Sequence, residues 1–197
     1  MAKEKGFTLL ELCMCLVIFG IFIECLDGFL TQCTMRYRQY RNQLELMNEG
    51  QNVEDFIRNG IRKADKVQIK TESGKVIQAI NPSLGQQESD IENEKLVKIE
   101  CVTTVIEDGR QITKKYRLEV KESGGAYKGL YALVYNGGYV SNIISEQIEH
   151  IKVTREKASN RVQFECSLQK KDQTNIPLNY TKCFSESIEN KGHIKST

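Results

Sequence analysis

The chain has 197 residues and a mass of 22.5 kDa, room for one medium-sized domain plus one further element and too little for two independent domains. Lys and Arg number 28 against 26 Asp and Glu, so no overall field recruits nucleic acid or an anionic surface, and partners must be sought through local features. With 27% charged residues, 2 Pro and an alternating polar half, the composition is that of a folded domain and not of a disordered tail.

The first thirty residues carry most of the information. Residues 12–23, LCMCLVIFGIFI, contain no charge, and the stretch from Phe7 to Leu26 predicts a helix of roughly 30 Å at about 1.5 Å per residue, which matches the hydrocarbon core of a bilayer. Lys3 and Lys5 precede it, a positive flank of the kind that stays cytoplasmic and leaves the remainder exported. A secretory signal places small residues after its apolar core, and Phe22–Asp27 offers no such site. A lipoprotein signal is disfavoured too, because Cys13 sits near the start of the run and Cys25 follows Glu24.

Residues 5–11, KGFTLLE, followed at once by the apolar helix, closely resemble the prepilin signal of type IV pilins and type II secretion pseudopilins. The resemblance implies that a prepilin peptidase cuts between Gly6 and Phe7 and methylates the new amino group of Phe7, while the hydrophobic segment is retained. It also implies an assembly role for Glu11. A carboxylate inside an apolar helix costs roughly 2.5–3.5 kcal/mol on insertion scales unless something pairs with it, and cleavage creates an ammonium on Phe7 with a reference pKa of about 8. In the family this pair forms between subunits and sets axial register. Taken alone, Glu11 has a plainer account as an acid in the first turn of a helix, favoured there by about 0.3–1 kcal/mol. Gly20 permits close helix approach, Gly28 stands where many major pilins have a kinking proline, and Glu24 is expected at the outer interface, within reach of water.

Downstream, Leu44, Met47, Val53, Phe56, Ile57, Ile61 and Ala64 fall on one apolar stripe. The helix is expected to continue to about Asp65, roughly 90 Å in all, with bends at Gly50 or Gly60. Arg36, Tyr37, Arg38, Tyr40 and Arg41 interleave cations with aromatics; this suits single-stranded nucleic acid, and more simply suits lipid head groups or acidic residues of adjacent subunits.

After residue 66 the period changes to two, which predicts strands at 67–71, 75–80, 95–106, 111–121, 130–136, 148–154, 161–170 and 178–184. Residues 81–94 read as a polar loop, Glu107–Arg110 and Asn136–Gly138 as hairpin turns, and Ser123–Gly125 as a flexible join. Val97, Ile99 and Cys101 share a face, as do Val162, Phe164, Cys166 and Leu168. A disulfide among Cys101, Cys166 and Cys183 and a set of free core thiols are both open. Asp90, Glu92 and Glu94, or Asp172 with Asn175, offer oxygens to calcium, although solvated loop charges are the simpler reading. His150 and His193 stand in no nucleophile, metal or phosphate-binding pattern, so the expectation is no enzyme, no cofactor and no metal.

These readings give an α+β chain: a leader at 1–6, a membrane and assembly helix at 7–28, an exported amphipathic half at 29–66, and a mainly antiparallel β head at 67–197. The run VEDFIRNGIRKADKVQI followed by a sheet resembles the minor J-type pseudopilins and their pilus counterparts. The resemblance implies a structural subunit that primes or joins a filament. Its implied partners are prepilin peptidase, other pilin or pseudopilin subunits, an assembly-platform membrane protein and membrane lipid, with no nucleic acid. The implied location is the inner membrane before assembly, with the head outside, and then a pilus or pseudopilus. An adhesin or DNA-uptake receptor on such a filament is the alternative.

Overall fold

A computed structural model describes residues 8–79, 90–108, 110–127, 129–137, 140–156, 159–171 and 177–189. Among the described residues, one helix, α1 (Leu9–Lys63), is followed by eight strands: β1 (Lys66–Thr71), β2 (Val76–Gln78), β3 (Ile91–Glu107), β4 (Arg110–Glu122), β5 (Tyr131–Gly137), β6 (Val140–Arg155), β7 (Arg161–Lys171) and β8 (Pro177–Ser187), with a 3-10 turn at Gly125–Tyr127. The chain is therefore α+β, as its change of period from 3.6 to 2 requires. It divides into two compact units, residues 1–42 and 43–197. The helix passes through Gly20, Gly28, Gly50 and Gly60 without a break.

All strands of the second unit join one antiparallel sheet in the order β2-β1-β3-β4-β5-β6-β7-β8. Consecutive strands are neighbours almost throughout, which short hairpin connections enforce. The β3–β4 turn is the expected one: Glu107 pairs with Arg110, and Asp108 has φ 51°, the left-handed geometry that a two-residue hairpin loop demands. A second pairing of β3 with β6, Ile91↔Arg155 and Lys95↔Lys152, curls the sheet back on itself like a barrel. Residues 91–94 are therefore strand, contrary to the loop read from their polarity; their partners lie sixty residues away, and local composition does not encode them. Similarly, β6 begins at Val140 and not at 148, and Asn136 and Gly137 pair with Ser141 and Val140.

Residues 43–63 of α1 fill the inner face of this sheet. The buried stripe is Leu46, Gly50, Val53, Ile57, Gly60 and Ile61, continued by Ala64, whereas Leu44, Met47 and Phe56 are 59%, 43% and 48% exposed. Apolarity alone placed those three in the stripe. The true line includes two glycines that a hydrophobicity pattern passes over. Gly50 is there for contact and not for bending: a Cβ would lie 2.6 Å from the Tyr180 ring. Another correction concerns β3, where Val97 was assigned inward with Ile99 and Cys101. Thr71 pairs with Leu96 while Lys70 pairs with Lys98, so Val97 is the extra residue of a β-bulge. The bulge turns Leu96 inward and leaves Val97 42% exposed.

A charged cluster fastens the helix to β8. Arg58 reaches Glu54 at 2.6 Å and also bonds Glu186, Arg62 meets Glu186 at 2.8 Å, and Lys182 lies 3.1 Å from the second oxygen of Glu54. The Arg58 guanidinium sits 5.3 Å from the Phe184 ring centroid, and that ring stacks on Phe164. Burial pushes the Glu54 carboxyl up, but hydrogen bonds and charge from Arg58 and Lys182 outweigh it and hold it below its ordinary 4.5. Its contribution is therefore complete above pH 4.5 and is lost as pH falls through the depressed value.

Arg58→Ala leaves Glu54 and Glu186 short of their shared cation. Because Arg58 is partly exposed, the expected loss is about 2–3 kcal/mol, below the 3–5 kcal/mol of a fully buried pair. Chemical denaturation of the detergent-solubilised protein should show this loss at pH 7 and a smaller one at pH 4. An equal loss at both values would mean that the side chain acts through packing alone.

Candidate assembly site

The first turn of α1 is closed by its own side chains. Thr8 stands immediately before the helix; its backbone N–H and its hydroxyl both donate to Glu11 Oε2 at 2.9 Å, and the Glu11 N–H approaches the Thr8 hydroxyl oxygen at 3.4 Å. This is the reciprocal capping box of a threonine at the cap and a glutamate three residues on. It supplies partners for two of the donors that a helix start leaves orphaned. Glu11 Oε1 has no partner among the described residues. Gly6 and Phe7, the expected cleavage and methylation positions, lie outside the described residues.

The capping role of Thr8 was missed in the sequence, although its signal is present. The tetrad Thr8-Leu9-Leu10-Glu11 before an apolar run is the pattern of a capping box.

Within the first unit every described residue up to Arg41 is exposed, including Leu12, Leu16, Ile18, Phe19, Phe22 and Phe29. Among the described residues α1 is the one helix long and apolar enough to cross a membrane, by length and composition. Uncovered apolar surface on this scale requires either lipid or other protein. Glu24, Asp27, Arg36, Arg38 and Arg41 are exposed on the same unit.

The other sequence-predicted residues are not brought together. Cys101 on β3 and Cys166 on β7 are buried free thiols, and Cys183 on β8 is a free, exposed one. Burial pushes the Cys101 thiol up to about 11, against a smaller opposing pull from a Tyr116 hydrogen bond, and the Cys166 thiol up to about 12. His150 lies on β6 with Nε2 3.5 Å from Glu165, and Glu165 is already bonded to Lys152 at 3.2 Å. Glu94, a candidate calcium ligand, is instead held by Lys75 and Ser73, which pull its carboxyl down to about 2. Asp172, Asn175 and His193 lie outside the described residues. A groove of about 670 Å³ runs along α1, β3, β4 and β5, lined by Phe56, Val105, Tyr116, Leu118 and Tyr135.

The chain matches no family model, no curated protein and no solved structure.

Two outcomes follow from these geometries. Thr8→Ala should fray the first turn by about 1 kcal/mol, read as a roughly fivefold faster amide exchange at residues 9–12 in detergent; unchanged exchange would mean that the cap is not formed in solution. Maleimide should label Cys183 in the folded head within minutes, with Cys101 and Cys166 reacting only on unfolding, because the thiolate is the reactive form. Peptide mapping separates the three, and rapid labelling of Cys166 would contradict its burial.

Proposed function

We propose that this chain is a structural minor subunit of a type IV pilus or a related pseudopilus, made with a six-residue leader, cut before Phe7 and carried in the inner membrane by α1 until it joins a filament. The observation that carries the reading is the place of Glu11: the one acid between Phe7 and Ile23, one turn after the KGF tripeptide, with one carboxylate oxygen filled by Thr8 and the other without a partner among the described residues. An ionised carboxylate accepts about four hydrogen bonds. Thr8 supplies two of them, enough to orient the group and not enough to satisfy it in an apolar setting. The ammonium of Phe7 in an adjoining copy is the missing partner, and it exists only after the leader is removed.

The head supports the same reading. A helix whose lower half is bare and whose upper half fills a curled antiparallel sheet is built to present one surface to lipid or neighbours while the sheet folds around the other. Head-group lipid, the peptidase and the assembly platform are the further partners this role entails.

Glu11→Val tests the proposal. It removes the charge and keeps the apolar run, so membrane insertion should be retained, read by carbonate extraction, while incorporation into sheared filaments should fall at least about a hundredfold, consistent with losing roughly 3 kcal/mol per contact. Normal incorporation would reject the register role of Glu11.

A further inference from the structure

Among the described residues, no third strand supports the two-stranded ribbon that β3 and β4 form over residues 103–114. Pairing of β3 with β1 ends at Lys66↔Val102, and β4 meets β5 only from Arg117↔Asn136 onward. The two long edges of this ribbon differ. On the β3 side Asp65 closes the edge: its N–H donates to Val102 O at 2.8 Å, and its carboxylate accepts from the Thr104 N–H at 2.6 Å. Val102 and Thr104 therefore direct these backbone groups away from β4. In an antiparallel ladder their partners Lys115 and Thr113 then direct theirs away from β3, where no strand lies beside them among the described residues. A bare edge of this kind is a template for a further strand.

The open edge borders the groove of about 670 Å³ between α1 and the sheet, a volume suited to a few apolar side chains. Val105 lines it, and Ile112, directly opposite Val105, continues the same ribbon face. Tyr116 shares that face and turns it toward α1 by donating its hydroxyl to Gly60 O. Phe56, half-exposed on the helix, forms the facing wall. Lys63 and Lys114 stand along the groove, and Lys115, next to Tyr116 in the strand, faces the other side of the ribbon. Lys114 is bonded to Glu107, whereas Lys63 and Lys115 are exposed and have no ion-pair partner among the described residues.

We propose that the edge of β4 at Thr113 and Lys115, with the groove beside it, docks an extended acidic segment of another protein. The segment adds to β4 as a strand, sets alternate apolar side chains against Val105 and Phe56, and brings its carboxylates to Lys115 and Lys63. The backbone edge selects a peptide, because an acyl chain has no groups to pair with it. The unpaired lysines select an acidic one. A second copy of this chain is disfavoured by the same charges, since a two-fold pairing of β4 edges brings Lys63, Lys114 and Lys115 of both copies together. The site lies wholly within the second unit and requires neither leader removal nor a filament, so it stands apart from the proposed function.

The test uses the full chain in lipid nanodiscs and a fluorescent heptapeptide of alternating glutamate and valine. Anisotropy should show saturable one-to-one binding at or below about 100 μM, weakened at least about tenfold when lysine replaces glutamate. Methylating the backbone nitrogens of alternate peptide residues keeps every side chain. One alternate set should cost at least about tenfold and the other little, because only one set of N–H groups faces β4. On the protein, Thr113→Pro removes an N–H that β3 does not use, and Val105→Glu places a like charge in the groove; each should weaken binding at least about tenfold with the unfolding midpoint retained. Lys63→Glu with Lys115→Glu, both at exposed positions, should reverse the preference in favour of the lysine peptide. Absence of saturable binding below about 1 mM, equal losses from the two methylated sets, or an unchanged preference after the charge reversal would overturn the proposal. So would dodecanoate occupying the groove where the peptide does not, or a dimer of the chain that Val105→Glu dissociates.

Discussion

The constraint on which the rest depends is the placement of an acidic side chain at the head of a bare apolar helix. A carboxylate there is costly in lipid, and the chain answers part of that cost locally. Thr8 directs two donors to Glu11 Oε2, which fixes the acid in the first turn where the helix dipole favours it. The capping box also explains why the helix can start at Leu9, directly after Thr8. On the proposed reading, this leaves the acid oriented and half satisfied, so that the remaining demand is met by assembly and not by folding.

The second unit follows a different logic. Its stability rests on residues 46–63 of the helix, with Ala64 after it, filling the inner face of a sheet that curls until β3 meets β6. At Gly50, close contact with the Tyr180 ring takes the place of a side chain. Ion pairs around Glu54, Arg58 and Glu186 hold one end of this packing. They surround groups that are nearly buried, so their loss is felt more than that of the many exposed pairs on the strand surfaces.

Much of this was legible in the sequence, for physical reasons that differ by element. The long apolar run is a one-dimensional signal, since a helix apolar enough to cross a membrane satisfies its own backbone and needs only a composition. The strands announced themselves by alternation, and Asp108-Gly109 by its turn chemistry. What could not be read depended on partners distant in sequence. Ile91–Glu94 became strand through β6, Val97 was turned outward by a register shift against β1, and Leu46 replaced Leu44 in the core because the helix face is chosen by the sheet it meets. Thr8 is different, because its signal was local and simply outweighed by the acid beside it. The cysteines were undecidable from spacing. Their free state follows from the distribution of Cys101 and Cys166 to β3 and β7, each facing apolar neighbours.

On the proposed function, proteolysis supplies the ammonium that pairs with Glu11. Intact mass of the amino-terminal peptide, taken from protein in assembled filaments, is the most direct measurement. A chain that begins at Phe7 and carries one methyl group on its nitrogen is the predicted result. A polymerised chain that still begins at Met1 would contradict it.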